Sequence, residues 1–258
     1  MNPTGLSWEL IGKVSRSFAL SLRLLPPAVQ PPITLAYLLA RITDTEADGP
    51  AHEADRILLQ KKSDLLDILS NSPDADLIQD VWSTIQEGQH FDRTRFPSTS
   101  PLTEAELDRY TYLVAGSVGV FWTRLCCRRV TAFSRLPISD LETLGIQYGK
   151  ALQLVNILRD RKKDASIGRI YLAPDLVDSA FASARSGLAA ASSYIASLQP
   201  GRLRAATALP ASIAGETLDL LGKSPTSSHP KIPRTRVYIL LAQTLLRHGL
   251  SWSQNSKP

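Results

Sequence analysis

Apolar residues recur along this chain at the three- and four-residue intervals that bring them to one face of an α-helix. Clusters of proline and small polar residues separate these runs, and the strict alternation typical of β-strands is rare. The pattern predicts helices over residues 54–69, 76–91, 180–198, 209–221 and 235–248. We therefore expect an all-α fold of about eight to ten helices, forming one domain over residues 1–258 with a flexible tail at 251–258.

Local signals place the ends of two further helices. PSTSP at 97–101 predicts a loop, and Thr103 is the expected N-cap of the next helix because acidic residues, including Glu106, follow in its first turn. Ser139 is expected to cap the helix after that one. The polar, proline-rich stretch 222–234 predicts a surface loop.

Composition and charge narrow the function classes only a little. Hydrophobic residues make up 43% of the 258 residues and charged residues 21%, which allows a sizeable core. The net charge of +5 and the pI of about 9.3 suit an anionic ligand, an anionic membrane surface or nucleic acid, although composition alone favours an ordinary, slightly basic surface. Lysine and arginine are dispersed and no recognised DNA- or RNA-binding motif occurs, so nucleic-acid binding has little support.

The chain shows no membrane-spanning pattern. No apolar run approaches the ~20 residues that cross a bilayer, and the N-terminal segment lacks the apolar centre of a signal peptide. The adjacent Cys126 and Cys127 have no evident disulfide partner and are expected to be small buried residues in a reducing compartment. We expect a cytoplasmic protein, for which peripheral membrane contact stays open.

Two short segments repeat one arrangement of polar residues. The first contains Tyr37, Arg41, Asp44 and Asp48, and the second contains Gln153, Asn156, Asp160 and Asp164. Successive side chains of a helix turn by about 100°, so the members of each set share one helix face. If the two helices face each other across a bundle, their four carboxylates repel one another unless cations lie between them.

Mg²⁺ suits such a site because it binds a few carboxylates, keeps several waters and shares phosphate oxygens. The metal would bridge protein and diphosphate, while Arg159 and Arg169 could hold the departing charge. The alternative is that the aspartates lie on solvated helix faces and pair with nearby Arg or Lys. One D-x-x-x-D favours that alternative, whereas the two segments together support both interpretations equally.

Five segments, in the same order, resemble the squalene/phytoene synthase family along most of the chain. They are SRSF at 15–18, RITDTEAD at 41–48, YTYLVAGSVG at 110–119, QLVNILRDRKKD at 153–164 and GRIYL at 168–172. EGQHFD at 87–92 is loosely similar to a family helix with a Gly-x-x-x-Asp pattern. The resemblance implies an all-α isoprenoid (terpenoid) synthase fold, a single helical bundle around a central cavity, in an enzyme that joins two isoprenoid diphosphates head to head.

The resemblance also implies a role for each matching residue. The residues that would bind Mg²⁺-diphosphate are Asp44, Asp48, Asp160 and Asp164. Those that would contact diphosphate are Arg41, Arg159 and Arg169. Further substrate contacts would come from Tyr37, Gln153 and Asn156, and the site would be covered by Ser15, Arg16 and Phe18. Tyr110 matches a tyrosine proposed to remove a proton or stabilise a cation; the alternative for it is a core aromatic with a satisfied hydroxyl.

The implied reaction has two halves. Loss of diphosphate gives an allylic cation, the second substrate's double bond attacks it, and proton loss closes a cyclopropane, as in presqualene diphosphate. A second ionisation and rearrangement follow, and hydride from NADPH ends the reaction at squalene. The segments 209–221 and 229–237 are more similar to squalene synthases than to other members. The expected enzyme is therefore a Mg²⁺-dependent squalene synthase that acts on two farnesyl diphosphates and uses NADPH.

Several alternatives stay open. Within the same fold they are a phytoene or dehydrosqualene synthase and a partial-reaction enzyme that handles presqualene diphosphate or makes hydroxysqualene. The alternative from a different functional class is a non-catalytic helical module for lipid binding or assembly. The first motif is the less typical one, because Ala47 stands where many members have a carboxylate and Glu46 points about 100° away from that position. The interval 44–92 and the stretch after Pro174 are also shorter than usual, which leaves the preferred chain length open.

Overall fold

The structure is a computed structural model that describes residues 5–15, 18–49, 52–98, 100–223 and 232–249. The helices in these residues are α1 (Trp8–Ser15), α2 (Phe18–Leu24), α3 (Gln30–Asp48), α4 (Glu53–Gln60), α5 (Lys62–Ser70), α6 (Ala75–Arg95), α7 (Glu104–Thr111), α8 (Ser117–Arg129), α9 (Ile138–Ser166), α10 (Val177–Ser197), α11 (Gly201–Lys223) and α12 (Arg234–Thr244). A π-helical segment, Tyr112–Gly116, joins α7 to α8, and a 3₁₀ turn, Pro174–Leu176, precedes α10. A second π-helical segment, Leu245–Gly249, continues α12. The described ranges contain no β-strand, so the predicted all-α fold is confirmed.

The helix ends agree with some predictions and correct others. Thr103 is the N-cap of α7: its Oγ1 accepts the Glu106 N–H at 3.2 Å, and the Glu106 carboxylate accepts the Thr103 N–H at 2.8 Å. The prediction that Ser139 caps α9 is wrong, because Pro137 takes the N-cap position and the helix begins at Ile138.

The described chain has twelve α-helices rather than the expected eight to ten. One cause is the segment 54–69, which was predicted as a single helix but turns at Lys61 into α4 and α5. The cysteine prediction is half wrong: Cys126 is buried, but Cys127 lies on the exposed side of α8.

Six helices of the described chain pack into a closed ring. In order around the ring, α3 packs on α6, α6 on α8, α8 on α9, α9 on α11, α11 on α2, and α2 on α3. The helices that carry the two aspartate segments, α3 and α9, therefore take opposite positions in the ring. On α3 the side chains of Leu38, Leu39 and Ile42 are fully buried, whereas Arg41 and Asp44 are partly exposed on another face.

Glycines allow α8 and α9 to approach closely. A Cβ on Gly119 would lie 2.1 Å from the carbonyl oxygen of Gly145, and a Cβ on Gly149 would lie 2.2 Å from that of Ala115. Such distances are far inside van der Waals contact, so neither position accepts a side chain without separating the helices.

None of the helices in the described residues is both long and apolar enough to cross a membrane. Arg16, residues 224–231 and the tail 251–258 lie outside the described part of the chain. The surface loop, the flexible tail and the single domain therefore stay predictions.

Candidate active site

Arg41 holds two acidic side chains at the first motif. Its Nη1 donates to Oδ2 of Asp44 at 2.8 Å, and its Nη2 donates to Oδ1 of Asp55 at 3.0 Å. Asp55 is 1% exposed and also accepts the backbone N–H of His52 at 3.1 Å. Burial alone would raise the pKa of Asp55, but Arg41 and the His52 N–H together lower it below its usual range. A buried, ionised Asp55 thus fixes the guanidinium that contacts Asp44.

Aromatic residues join α2 to the first motif. The rings of Phe18 and Tyr37 are 5.0 Å apart between centroids. The Tyr37 hydroxyl donates to the carbonyl of Val14 at 3.2 Å, and burial raises the pKa of Tyr37 to about 12. Ser15, at the end of α1, is buried and donates its hydroxyl hydrogen to the carbonyl of Ile11 at 2.5 Å. Phe18 and Ser15 therefore both lie against the first motif, Phe18 through its ring and Ser15 through a side-chain hydrogen bond with Tyr37.

The second motif pairs Arg159 with Asp160 in a fork. The Nε and Nη2 atoms of Arg159 donate to the two oxygens of Asp160 at 2.8 and 2.7 Å. This hydrogen bonding raises the pKa of Arg159 above its usual value. Burial, followed by the charge of Asp160, raises the pKa of Asp164 to about 6. Asp160 and Asp164 therefore lie close enough for their charges to repel each other.

Asp92 joins Arg169 to a pair of stacked tyrosines. The buried carboxylate accepts the Tyr171 O–H at 2.5 Å through Oδ1, and its Oδ2 lies 3.3 Å from Nε of Arg169. The rings of Tyr171 and Tyr110 stack at 5.3 Å, and their hydroxyls are hydrogen-bonded to each other. Because Tyr171 donates its one hydroxyl hydrogen to Asp92, it accepts from Tyr110.

Electrostatic effects connect these groups to both motifs. Burial and then Asp92 raise the pKa of Tyr110 well above its usual value, and Asp44 adds to the rise. Asp92 also contributes to the raised pKa of Asp164. Tyr110 and Asp92 therefore lie within electrostatic reach of α3 on one side and the end of α9 on the other. The described residues include no group of three or more His, Cys, Asp or Glu side chains that could hold a metal ion alone.

A cavity of about 180 Å³ lies between α2, α9 and α11. Its apolar lining consists of Phe18, Leu152, Val155, Pro210, Ile213 and Ala214. Asn156 and Arg159 add polar groups to the same wall. The Arg159–Asp160 pair thus lies between an apolar cavity and the end of α9 that carries Asp164.

Most of the predicted site residues belong to these contacts, and three are less defined. Gln153 is half-buried on α9, one turn before Asn156. Asp48 is the last residue of α3, and its side chain, like the whole of Arg16, lies outside the description. Glu46 is exposed and pairs with Lys62 at 2.6 Å, which confirms that it does not replace a carboxylate at position 47.

Three residues make site contacts that no sequence pattern predicted. The loose Gly-x-x-x-Asp resemblance was a weak signal for Asp92, and GRIYL contained Tyr171 without giving it a role. Asp55 belongs to no motif, and only its place in the first turn of α4 could have indicated it. All three orient groups that were themselves predicted.

Curated relatives match about two thirds of the chain. The squalene/phytoene synthase family matches residues 11–181. A presqualene diphosphate synthase of Zymomonas mobilis is 33% identical over 176 residues, which are 62% of this chain and 57% of that protein. Phytoene synthase 3 of Zea mays, a chloroplastic protein, is 31% identical over 189 residues, which are 67% of this chain and 43% of that protein. The matches span about half the length of these relatives.

Solved structures resemble nearly the whole chain. TcSQS in complex with the ligand E5700 has a TM-score of 0.79 at 21% identity, over 93% of this chain and 87% of that one. A dehydrosqualene synthase bound to a ligand has a TM-score of 0.70 at 23% identity, over 93% of this chain and 94% of that one. This likeness confirms the predicted isoprenoid synthase fold. Since the family match extends over well more than half of the sequence, the chain belongs to the squalene/phytoene synthase family.

Proposed function

We propose that this protein is a prenyltransferase that joins two farnesyl diphosphates head to head, through presqualene diphosphate, to form squalene. The observation that carries the proposal is the cavity between α2, α9 and α11, where an apolar wall meets Asn156 and Arg159. An isoprenyl diphosphate has the same division into an apolar chain and a charged end. Family membership supports the reaction class.

Three arginines are the proposed contacts for diphosphate. Arg41, Arg159 and Arg169 each lie beside a carboxylate that orients the guanidinium, namely Asp55, Asp160 and Asp92. Guanidinium groups held in this way can donate two parallel hydrogen bonds to a phosphate. Tyr37, Gln153 and Asn156 are the proposed further substrate contacts, and Ser15, Arg16 and Phe18 the proposed cover.

The acidic residues of both motifs are the proposed Mg²⁺ ligands: Asp44, Asp48, Asp160 and Asp164. Their donors are all carboxylate oxygens, which suit a hard cation, and the raised pKa of Asp164 marks a position where added positive charge is favoured. Mg²⁺ is commonly bound by one or two carboxylates together with substrate phosphates, which does not require a complete protein cage. When bound, Mg²⁺ would stabilise the charge of the leaving diphosphate.

Tyr110 is the proposed base for closure of the cyclopropane. As its oxygen takes the substrate proton, its own hydroxyl proton would pass to Tyr171, and the Tyr171 proton would pass to Asp92. Support for this direction comes from the bond that Tyr171 donates to Asp92 at 2.5 Å, which leaves the Tyr171 oxygen to accept from the Tyr110 hydroxyl. The substrate then loses one proton and the Asp92 carboxylate gains one. The ring of Tyr110 would also stabilise the preceding cation.

NADPH is the proposed source of the hydride that converts the final cation to squalene. The support is the similarity of 209–221 to squalene synthases, and this segment lies in α11. Pro210, Ile213 and Ala214 of α11 line the cavity, where they would hold the nicotinamide end and exclude water. Lys231, in the other similar segment, lies outside the described residues.

A second candidate function is a synthase that stops at presqualene diphosphate. The 33% identity to the Zymomonas mobilis presqualene diphosphate synthase favours it. The two candidates share the first half of the reaction and differ only in whether the cyclopropane intermediate is reduced.

Product analysis separates these functions. Purified protein is incubated with Mg²⁺ and farnesyl diphosphate, with and without NADPH, and in parallel with geranylgeranyl diphosphate. Squalene that forms only with NADPH supports the leading proposal. Presqualene diphosphate that persists despite NADPH supports the second candidate. Phytoene formed from geranylgeranyl diphosphate would contradict both candidates and indicate a phytoene synthase. Lack of any product under all conditions would contradict the enzyme class.

A further inference from the structure

The last helix exposes an apolar face. On α12 and the π-helical segment that continues it, Tyr238 is 58% exposed, Ile239 47%, Leu245 37% and Leu246 68%. Together with the exposed Ala242 they recur at helical spacing and lie along one side. We call these five residues the α12 outer face.

The opposite side of α12 is fixed to the protein. Leu240 and Thr244 are only 6% and 5% exposed. Arg236 donates from Nε to both carboxylate oxygens of Glu216 on α11, each at 2.9 Å. These contacts set the rotation of α12, so the α12 outer face cannot turn inward without breaking them.

The charged side chains of α12 and its continuation are all basic, and Arg236 among them is paired with Glu216. Residues 234–249 contain three arginines and no Asp or Glu. Arg234 and Arg247 are exposed near the two ends of the α12 outer face, about 20 Å apart along the axis at a rise of 1.5 Å per residue. An apolar centre between cationic ends is complementary to a bilayer with anionic headgroups.

We propose that the α12 outer face binds the surface of an anionic lipid bilayer. Its four large side chains expose roughly 400 Å², a size typical of functional patches on monomers. A stable interface with a second copy buries about 800 Å² per partner, so the α12 outer face is too small for that role. The proposal gives a specific surface to the expected peripheral contact and does not depend on the proposed reaction, since vesicle binding needs no substrate.

Vesicle sedimentation with the full chain tests the proposal. Wild-type protein should pellet with phosphatidylcholine–phosphatidylglycerol vesicles at low salt and less with phosphatidylcholine alone. Ile239→Ser/Leu246→Ser should lower the partition coefficient at least tenfold, because two exposed aliphatic side chains no longer enter the bilayer. Arg234→Gln/Arg247→Gln should lower the partition coefficient on the anionic vesicles about fivefold per arginine. The same substitutions should remove most of the salt dependence of vesicle binding.

A matched control removes two exposed aliphatic side chains elsewhere. Leu136 and Ile138 are 37% and 48% exposed, and Leu136→Ser/Ile138→Ser should pellet as the wild type does. Circular dichroism checks that each variant is folded. Equal pelleting of wild type and Ile239→Ser/Leu246→Ser would overturn the proposal. So would a failure of the wild type to pellet, or a wild-type dimer that the same double substitution dissociates.

Discussion

Asp55 fixes Arg41 from outside every recognisable motif. The two side chains lie on different helices and meet at 3.0 Å, with Asp55 almost completely buried. The same guanidinium contacts Asp44. The position of Arg41, a predicted contact for diphosphate, therefore depends on a residue of α4.

Asp55→Asn removes this charge while nearly preserving the shape of the side chain. We expect the free energy of unfolding to fall by about 2 kcal/mol, because a buried charge-assisted hydrogen bond is lost. We also expect kcat/KM to fall, because Arg41 loses its orientation. Urea unfolding and turnover measure the two effects. The control is Glu53→Gln, an exposed acid on the same helix, which should change stability by less than about 0.5 kcal/mol. Wild-type behaviour of Asp55→Asn in both assays would contradict the role.

Asp44→Asn and Asp160→Asn test the proposed metal ligands. Each should reduce turnover about 100-fold or more, since stabilisation of the leaving group is lost. Both side chains are partly exposed, so folding should be preserved. Product assays across a Mg²⁺ titration measure the effect, with Asp140→Asn on the exposed start of α9 as control. Unchanged turnover in both variants would remove the assignment.

Tyr171→Phe tests the proton path from Tyr110 to Asp92. Loss of the hydroxyl interrupts the path, so kcat should fall about 100-fold with little change in KM. If Tyr171 is only structural, the variant loses stability and keeps its kcat. Tyr238→Phe, an exposed tyrosine on α12, is the matched control. Asp92→Asn should reproduce the kcat loss, and a normal kcat in both variants would exclude the path.

The helical pattern predicted the architecture because burial imposes the same periodicity on most helices. On α3 the fully buried Leu38, Leu39 and Ile42 alternate with Arg41 and Asp44 at the expected spacing. The break at Lys61 had no such signal, since the apolar pattern continues through it into α5.

The candidate site was predictable where its residues share one helix and obscure where they come from several. The Arg159–Asp160 pair is local to α9. By contrast, the contacts of Asp92 with Tyr171 and of Arg41 with Asp55 join distant or separate elements. Such pairs depend on how separate segments pack against the ring, which the periodicity of each segment does not encode.

Gly119→Ala tests the close approach of α8 and α9. The new Cβ would lie 2.1 Å from the carbonyl oxygen of Gly145, and we expect a loss of about 3 kcal/mol in the free energy of unfolding from overpacking. Gly215→Ala on α11 is the control, because its Cβ would have no neighbour within 4 Å. The better helix propensity of alanine should raise the free energy of unfolding by about 0.5–1 kcal/mol. Thermal and urea unfolding compare the two. Similar shifts in both variants would show that the close packing does not matter.

Glu106 should make stability depend on pH below the neutral range. Its carboxylate accepts the Nε hydrogen of Arg95 at 2.9 Å and the backbone N–H of Thr103 at 2.8 Å, and these contacts lower its pKa from 4.5 to about 2. Between these two values the unfolded chain binds the proton that the folded chain does not, so stability rises with pH across this window. The stabilisation by the ionised Glu106 is complete above about pH 4.5 and is lost as the pH falls towards 2. Glu106→Gln should therefore flatten the decline in urea midpoint between pH 5 and pH 3, whereas Glu104→Gln, at an exposed position of the same first turn, should keep it. Parallel pH profiles for wild type and Glu106→Gln would contradict the assignment of this window to Glu106.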